Sequence, residues 1–328
     1  MTATAVFPEI SVLLGPCDDM RAEAFVRLVG SGTSAARITG TIIGPRRGRD
    51  TTLPTTSRLV PLPGGADVGP VSRAILTEPA YWTPELPNLY RLEATVDSPS
   101  AGPSAGLGDS AAGRTDTLIG LRRLGVRGRS LWLDGRRWAP RAVVAAGRPD
   151  LPAVKAASLG AVLVNVLEED LASADEMGVA LIPLLGAADL MTAKVAALAR
   201  HPAAMLALVA ADVPSEVIAG RLATLRRTKG TMLIGQAVDG SQPPSMVKTP
   251  LDFIAVTLAA GCVPHEAWRS ACAVPLVAWR HDGCDPATGR SACDVLQGDL
   301  AAWGLAAGVD HLPWDWAGYL VGALRQIS

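Results

Sequence analysis

Residues 78–96 read EPAYWTPELPNLYRLEATV, and they change character halfway. From Tyr90 to Val96 apolar and polar residues alternate, the pattern of a half-buried strand. The residues before it run Trp82-Thr83-Pro84-Glu85-Leu86-Pro87. Proline fixes φ and has no N–H for a ladder, so strand pairing is delayed until about Tyr90. The stretch is a strand with a rigid, aromatic lead-in.

Other short β-branched runs surround it: ISVLLG, EAFVRLVG, AARITGTIIG and DTLIGLRRLGV, bounded by Gly, Pro, Ser and Asp. Several alternate as antiparallel strands with one buried face do. Five to seven such runs in about 135 residues predict a β-sandwich over residues 1–136. Ser98 to Arg114, SPSAGPSAGLGDSAAGR, is small, polar and glycine-rich, and reads as a loop.

After SLWLDGRRWAPRAV the texture shifts. Apolar runs without internal alternation now separate Ala-rich stretches of helical periodicity. The strand candidates are RAVVAA (141–146), AVLVNV (161–166), VALIPLL (179–185), MLALVAA (205–211), TMLIGQAV (231–238), FIAVTL (253–258), PLVAWR (275–280) and HLPWDW (311–316). Helices are expected over LPAVKAASLG, LMTAKVAALARH, PSEVIAGRLATLRRT and CDVLQGDLAAWGLAAG. Strands buried on both faces and separated by helices imply a parallel sheet. Eight in a row imply a compact (β/α)8 TIM barrel over residues 137–328. An open doubly wound sheet is the rival, but no glycine-rich phosphate loop follows the first strand.

The chain has 328 residues, is 49% hydrophobic and 19% charged, and carries a net charge of -1. That composition is globular, with no clustered basic face for nucleic acid. No apolar run approaches the roughly 20 residues of a membrane helix. The N-terminus is not a convincing signal peptide, which favours a cytoplasmic setting. Cys17, Cys262, Cys272, Cys284 and Cys293 include no CxxC pair, so neither a zinc site nor any other cofactor is expected. A hairpin disulfide between Cys284 and Cys293 is an alternative to reduced thiols.

Trp82-Thr83-Pro84-Glu85, Pro87, Leu89-Tyr90, Ile119-Gly120-Leu121-Arg122 and Leu131-Trp132-Leu133-Asp134-Gly135 stand in a specific order. That order resembles the junction of the family 2 glycoside hydrolases, the β-galactosidase and β-glucuronidase group. There a W-S-P-E-x-P-x-L-Y segment opens a late strand of an immunoglobulin-like domain. An I-G-F-R strand and an L-x-L-N-G-K-P hairpin then lead into the barrel. The resemblance runs from about residue 70 to 215. It implies an immunoglobulin-like β-sandwich followed by the barrel, with no counterpart of the family's jelly-roll domain.

It also implies a carbohydrate ligand and two carboxylates flanking a glycosidic bond at the C-terminal ends of barrel strands. The family's H-P-S-x-x-x-W-x-x-G-N-E falls on HPAAMLALVAAD without gaps. His201 and Pro202 match, the Trp becomes Ala207, the Asn becomes Ala211 and the acid/base Glu becomes Asp212. The strand-seven nucleophile is replaced by Trp279 or Arg280, with Asp282 two residues on. Asp212 and Asp282 are therefore the candidate catalytic pair. Substrate-facing candidates are Arg141 on strand one, Asn165 on strand two, Asp239, Trp279, Arg280, and the set Trp314, Asp315 and Trp316, whose indoles suit a sugar's apolar face. LEED at 167–170 reads as a helix N-terminus, where acids favour the dipole. Loss of both catalytic Glu points to lost or altered catalysis with carbohydrate or protein binding. The alternative is an active glycosidase using Asp212 and a displaced carboxylate. A protein partner or second copy would use the sandwich face.

Overall fold

The computed structural model of the chain describes residues 9–29, 37–48, 50–63, 71–97, 113–145, 147–244, 251–270, 273–283, 285–306 and 316–324. Two compact units emerge: Met1–Trp82 with Leu86–Leu121, and Thr83–Glu85 with Arg122–Ser328.

The first unit is antiparallel: β1 (Glu9–Cys17), β2 (Arg21–Val29), β3 (Arg37–Arg47), β4 (Asp50–Pro61), β5 (Val71–Thr77), β6 (Leu89–Asp97) and β7 (Gly113–Ile119), in the order β1-β2-β5-β4-β3-β6-β7. β4 pairs first with β3 and then, through Val60 and Pro61, with β5. It thereby joins the two layers of a sandwich. Alternation does the packing: Leu92, Ala94 and Val96 of β6 meet Ile38 and Ile42 of β3, Ala24 and Val26 of β2, and Ala74 and Leu76 of β5 in one core. The aromatic lead-in is pinned here. Tyr81 Oη donates to Asp18 O at 2.6 Å, the Trp82 N–H donates to Leu121 O at 2.7 Å, and Tyr90 Oη accepts the Ala80 N–H at 2.8 Å. Of the expected 98–114 loop, residues 98–112 lie outside the described residues, and Gly113 and Arg114 already belong to β7.

The second unit opens with a small meander, β8 (Leu124–Arg127), β9 (Ser130–Leu133) and β10 (Arg136–Trp138). Asp134 and Gly135 both have positive φ (49° and 73°), the tight-turn geometry that joins β9 to β10. The barrel follows: β11 (Arg141–Ala145), β12 (Gly160–Leu163), β13 (Leu181–Leu185), β14 (Leu206–Val209), β15 (Leu233–Asp239), β16 (Phe253–Leu258), β17 (Leu276–Arg280) and β18 (Gly318–Val321). All neighbours are parallel, and β18 closes on β11. Helices α1 (Leu151–Ala156), α2 (Glu168–Met177), α3 (Thr192–Arg200), α4 (Ser215–Thr228) and α5 (Pro286–Leu305) cover it. Among the described residues no α-helix separates β15 from β16, and only a 3-10 turn, Glu266–Arg269, separates β16 from β17. Those thin connections let eight strands fit into so short a chain.

One expectation needs correcting. The eighth strand is Gly318–Val321, not residues 311–316; Trp316 lies before it, and residues 311–315 are outside the described set. Cys293 is a buried thiol outside any disulfide, its Sγ 3.5 Å from Tyr319 O, in line with reduced cysteines rather than the alternative bridge; Cys284 lies outside the described residues.

Which strand residues face the axis follows from one contact and the register. A Cβ at Gly289 of α5 would fall on Val143 Cγ1, so Val143 faces the helices and Ala142 and Val144 face inward. Parallel register carries this around the barrel to Val162, Leu184, Leu208, Gly235, Asp239, Thr257, Trp279 and Leu320. Gly235 leaves room for the ring of Phe253 from the next strand. The interior is thus a packed apolar core.

Gly178 ends α2 at φ 72°, and a Cβ there would collide with Pro84 O. The left-handed conformation alone costs about 1–2 kcal/mol for a residue with a Cβ. Gly178→Ala should therefore lower the unfolding free energy read from urea titration by more than that amount, while Gly220→Ala, in open space on α4, should not.

Candidate functional site

Barrel sites form where strands end in the C-terminal direction. At that end, β14 leads into Ala211 and Asp212, both exposed. Asp212 makes no hydrogen bond or ion pair among the described residues. Asp239 faces inward at the end of β15 and accepts from Ser241 N and Oγ, both at 2.9 Å, closing a turn. Thr257 is its register partner and donates to Val238 O at 3.1 Å.

Trp279 follows in the same row on β17. Its indole is 1% exposed and its Nε1–H donates to Gly322 O at 2.9 Å. The ring therefore fills the strand-seven position as a packed, hydrogen-bonded plug. The edge of His281 meets it with centroids 5.2 Å apart. Burial pulls the His281 imidazole below its ordinary pKa against the pull of Asp282, favouring the neutral ring. Arg280 points the other way, toward the helices. Its Nε holds Asp282 Oδ2 and its Nη1 holds Asp299 Oδ2 of α5, each at 2.5 Å. Burial would lower the guanidinium pKa, but these two carboxylates outweigh it. Asp282 is thus committed to an ion pair on the helix side.

Asn165, in the left-handed region at φ 61°, follows β12. It lines a cleft of about 270 Å³ with Val144, Leu163, Leu167, Arg148 and Asp170. Arg148 Nε holds Asp170 at 2.9 Å, and Glu168, Glu169 and Asp170 form the first turn of α2. On the far side, the loops after β15 and β16 lock together: the His265 N–H donates to Gly240 O at 2.8 Å, and Trp268 Nε1 donates to Gln242 O at 2.8 Å.

Two sequence candidates fall at the opposite end. Arg141 begins β11 and binds Asp294 at 2.9 Å and Gln297 at 2.6 Å on α5. Trp316 precedes β18, buried against Trp303 with centroids 6.3 Å apart. Trp314 and Asp315 lie outside the described residues. The structure thus brings Asp239, Trp279 and the loop carrying Asp212 to one mouth, turns Arg280 and Asp282 outward, and leaves Arg141 and Trp316 at the base. Among the inward-facing strand residues described, Asp239 is the one carboxylate. No group of three or more His, Cys, Asp or Glu is placed to hold a metal ion among the described residues.

The sequence did not announce one buried polar cluster. His201, at the end of α3, puts Nδ1 2.6 Å from Asp175 and Nε2 3.0 Å from Glu168, both on α2. Asp175 also accepts the Ala203 N–H at 2.7 Å. The buried Arg122 guanidinium donates to Pro202 O at 2.8 Å and Ala204 O at 2.6 Å. Burial drives the Arg122 pKa down to about 10 against the pull of Asp175. For His201 burial acts downward, but the two carboxylates win and hold its pKa above 6.5. The signal was present: seven residues separate Glu168 from Asp175, two turns along one helix face.

No family model matches this sequence, and no curated protein matches it. Solved structures do. The β-D-glucuronidase of Dictyoglomus thermophilum superposes with TM-score 0.63 at 13% identity, over 97% of this chain and 62% of that one. A putative β-galactosidase from Bacteroides fragilis gives 0.59 at 12%, over 96% and 54%. The β-glucuronidase of Bifidobacterium dentium, solved with coumarin-3-O-glucuronide, gives 0.59 at 10%, over 96% and 60%. This chain spans less than two thirds of each. What it shares with them is architecture: an immunoglobulin-like sandwich and a TIM barrel with the fold of the family 2 glycoside hydrolases.

Proposed function

We propose that this chain binds carbohydrate at the C-terminal mouth of its barrel and does not hydrolyse it by double displacement. The observation that carries the reading is the end of strand seven. Double displacement needs a carboxylate nucleophile about 5 Å from the acid/base. Here that strand ends in a buried indole tied to Gly322 O and an Arg280 clamped by Asp282 and Asp299. Carbohydrate as the ligand class is supported by the shared fold and by the glucuronide bound to the Bifidobacterium dentium enzyme. On this reading Asp239, Asn165 and Asp212 are the polar groups that contact it.

A second reading has Asp212 as general acid/base of an active glycosidase. Its free, exposed carboxylate and the inward-facing Asp239 favour it. A panel of aryl α- and β-glycosides, assayed with the wild type and Asp212→Asn, separates the two. Our reading expects no turnover from either protein, with saturation-transfer NMR contacts to at least one glycoside. Turnover abolished in Asp212→Asn would establish the second reading. Neither turnover nor contacts from folded protein would remove carbohydrate as the ligand and direct attention to a protein partner.

A further inference from the structure

A cavity of about 250 Å³ opens at the other end of the barrel, where β11, β12 and β13 begin. All its lining residues belong to the second compact unit. Arg141, Lys155 and Arg290 reach it, and Glu85 is the acid in its wall. The charges there do not balance. Arg141 and Arg290 share one carboxylate, Asp294, at 2.9 and 3.2 Å. Lys155 Nζ donates to the carbonyls of Pro84 and Gly178, and no carboxylate lies within 4.0 Å of it among the described residues. Three cations thus face Asp294 and Glu85, an excess of one positive charge. Burial lowers the Lys155 pKa against the pull of Glu85, consistent with an ammonium that lacks a close counter-ion.

We propose that this basal cavity is a binding site for a small oxyanion, a phosphoryl or carboxylate group carried on a compact molecule. Arg141 and Arg290 bring guanidinium donors to the wall, Lys155 brings an ammonium, and charge-assisted hydrogen bonds to an oxyanion are the strong kind. Trp138 and Pro140 form an apolar part of the wall. Size restricts the ligand: at about 30 Å³ per water, the cavity holds an anion and a few further atoms, not a polymer. The site is independent of the mouth and of whether sugar binds there.

Calorimetric titration of inorganic phosphate, and separately of acetate, into the full chain at low ionic strength tests it. Phosphate, acetate or both should bind at one site with Kd below about 1 mM. Arg290→Gln and Lys155→Met should each weaken that binding about tenfold or more. Asp239→Asn, at the opposite end, should leave it unchanged. The stronger of the two anions identifies the group the site takes. Should Lys155→Met fail to fold, Arg290→Gln decides, because Arg290 is an exposed α5 residue whose one carboxylate partner among the described residues is the exposed Asp294. Absence of binding by both anions up to about 10 mM, or binding unaffected by Arg290→Gln, overturns the proposal.

Discussion

Asp175→Ala is expected to destabilise the barrel unit by about 3–5 kcal/mol, the usual consequence of removing one partner from a buried ionic network. Three groups are affected at once: His201 Nδ1 and the Ala203 N–H lose the carboxylate they meet, and the buried Arg122 guanidinium loses its coulombic pull. Urea unfolding followed by tryptophan fluorescence reads the loss, since seven of the eight tryptophans, at positions 132, 138, 268, 279, 303, 314 and 316, belong to this unit. The same network sets a pH dependence. His201 has a folded-state pKa raised above 6.5, so it binds its proton more tightly when folded. Its contribution is fully present below about pH 6.5 and is lost as pH rises through the raised value. The stability gap between wild type and His201→Gln should therefore be widest near pH 6 and narrow at alkaline pH. A gap that widens with pH would contradict the assignment.

This network marks the limit of what the sequence could disclose. His201 and Pro202 were legible as a motif, but their partners lie 26 to 33 residues away on α2 and 80 residues away at Arg122. Only the fold brings them together. The barrel itself was legible because its strands are unbroken apolar runs, and Asp134-Gly135 and the 82–90 lead-in carry local backbone chemistry that survives without tertiary context. β4 escaped notice because DTTLPTTSRLVP places Pro54, Pro61 and four threonines in a strand that crosses between layers. The eighth strand was misplaced because the aromatics of PWDW carry higher β-propensity than GYLV, although Pro313 argues against a central strand. At the site, sequence position located the strand ends but not the side of the sheet. A one-residue shift separates Trp279, facing inward, from Arg280, facing α5.

Trp279→Ala carries the second large expectation. Truncating a buried aromatic costs about 3–5 kcal/mol through lost transfer energy and the cavity left behind. The Gly322 carbonyl also loses its donor, adding about 1 kcal/mol. Thermal or urea unfolding should show the loss. Trp316→Ala at the base should show a comparable loss of stability, while only Trp279→Ala should alter ligand contacts at the mouth. A Trp279→Ala protein as stable as wild type would mean that the indole is not the plug described and that strand seven has room for a substrate.

The claim that strand seven offers no nucleophile can be put to one direct measurement. Cyclophellitol aziridines of gluco, galacto and glucurono configuration are opened by a carboxylate nucleophile and remain attached to it. Intact-protein mass spectrometry after incubation with all three should return the unmodified mass of the folded wild type. A single adduct that maps to Asp212, Asp239 or Asp282 would contradict the account and restore a covalent glycosidase mechanism to this barrel.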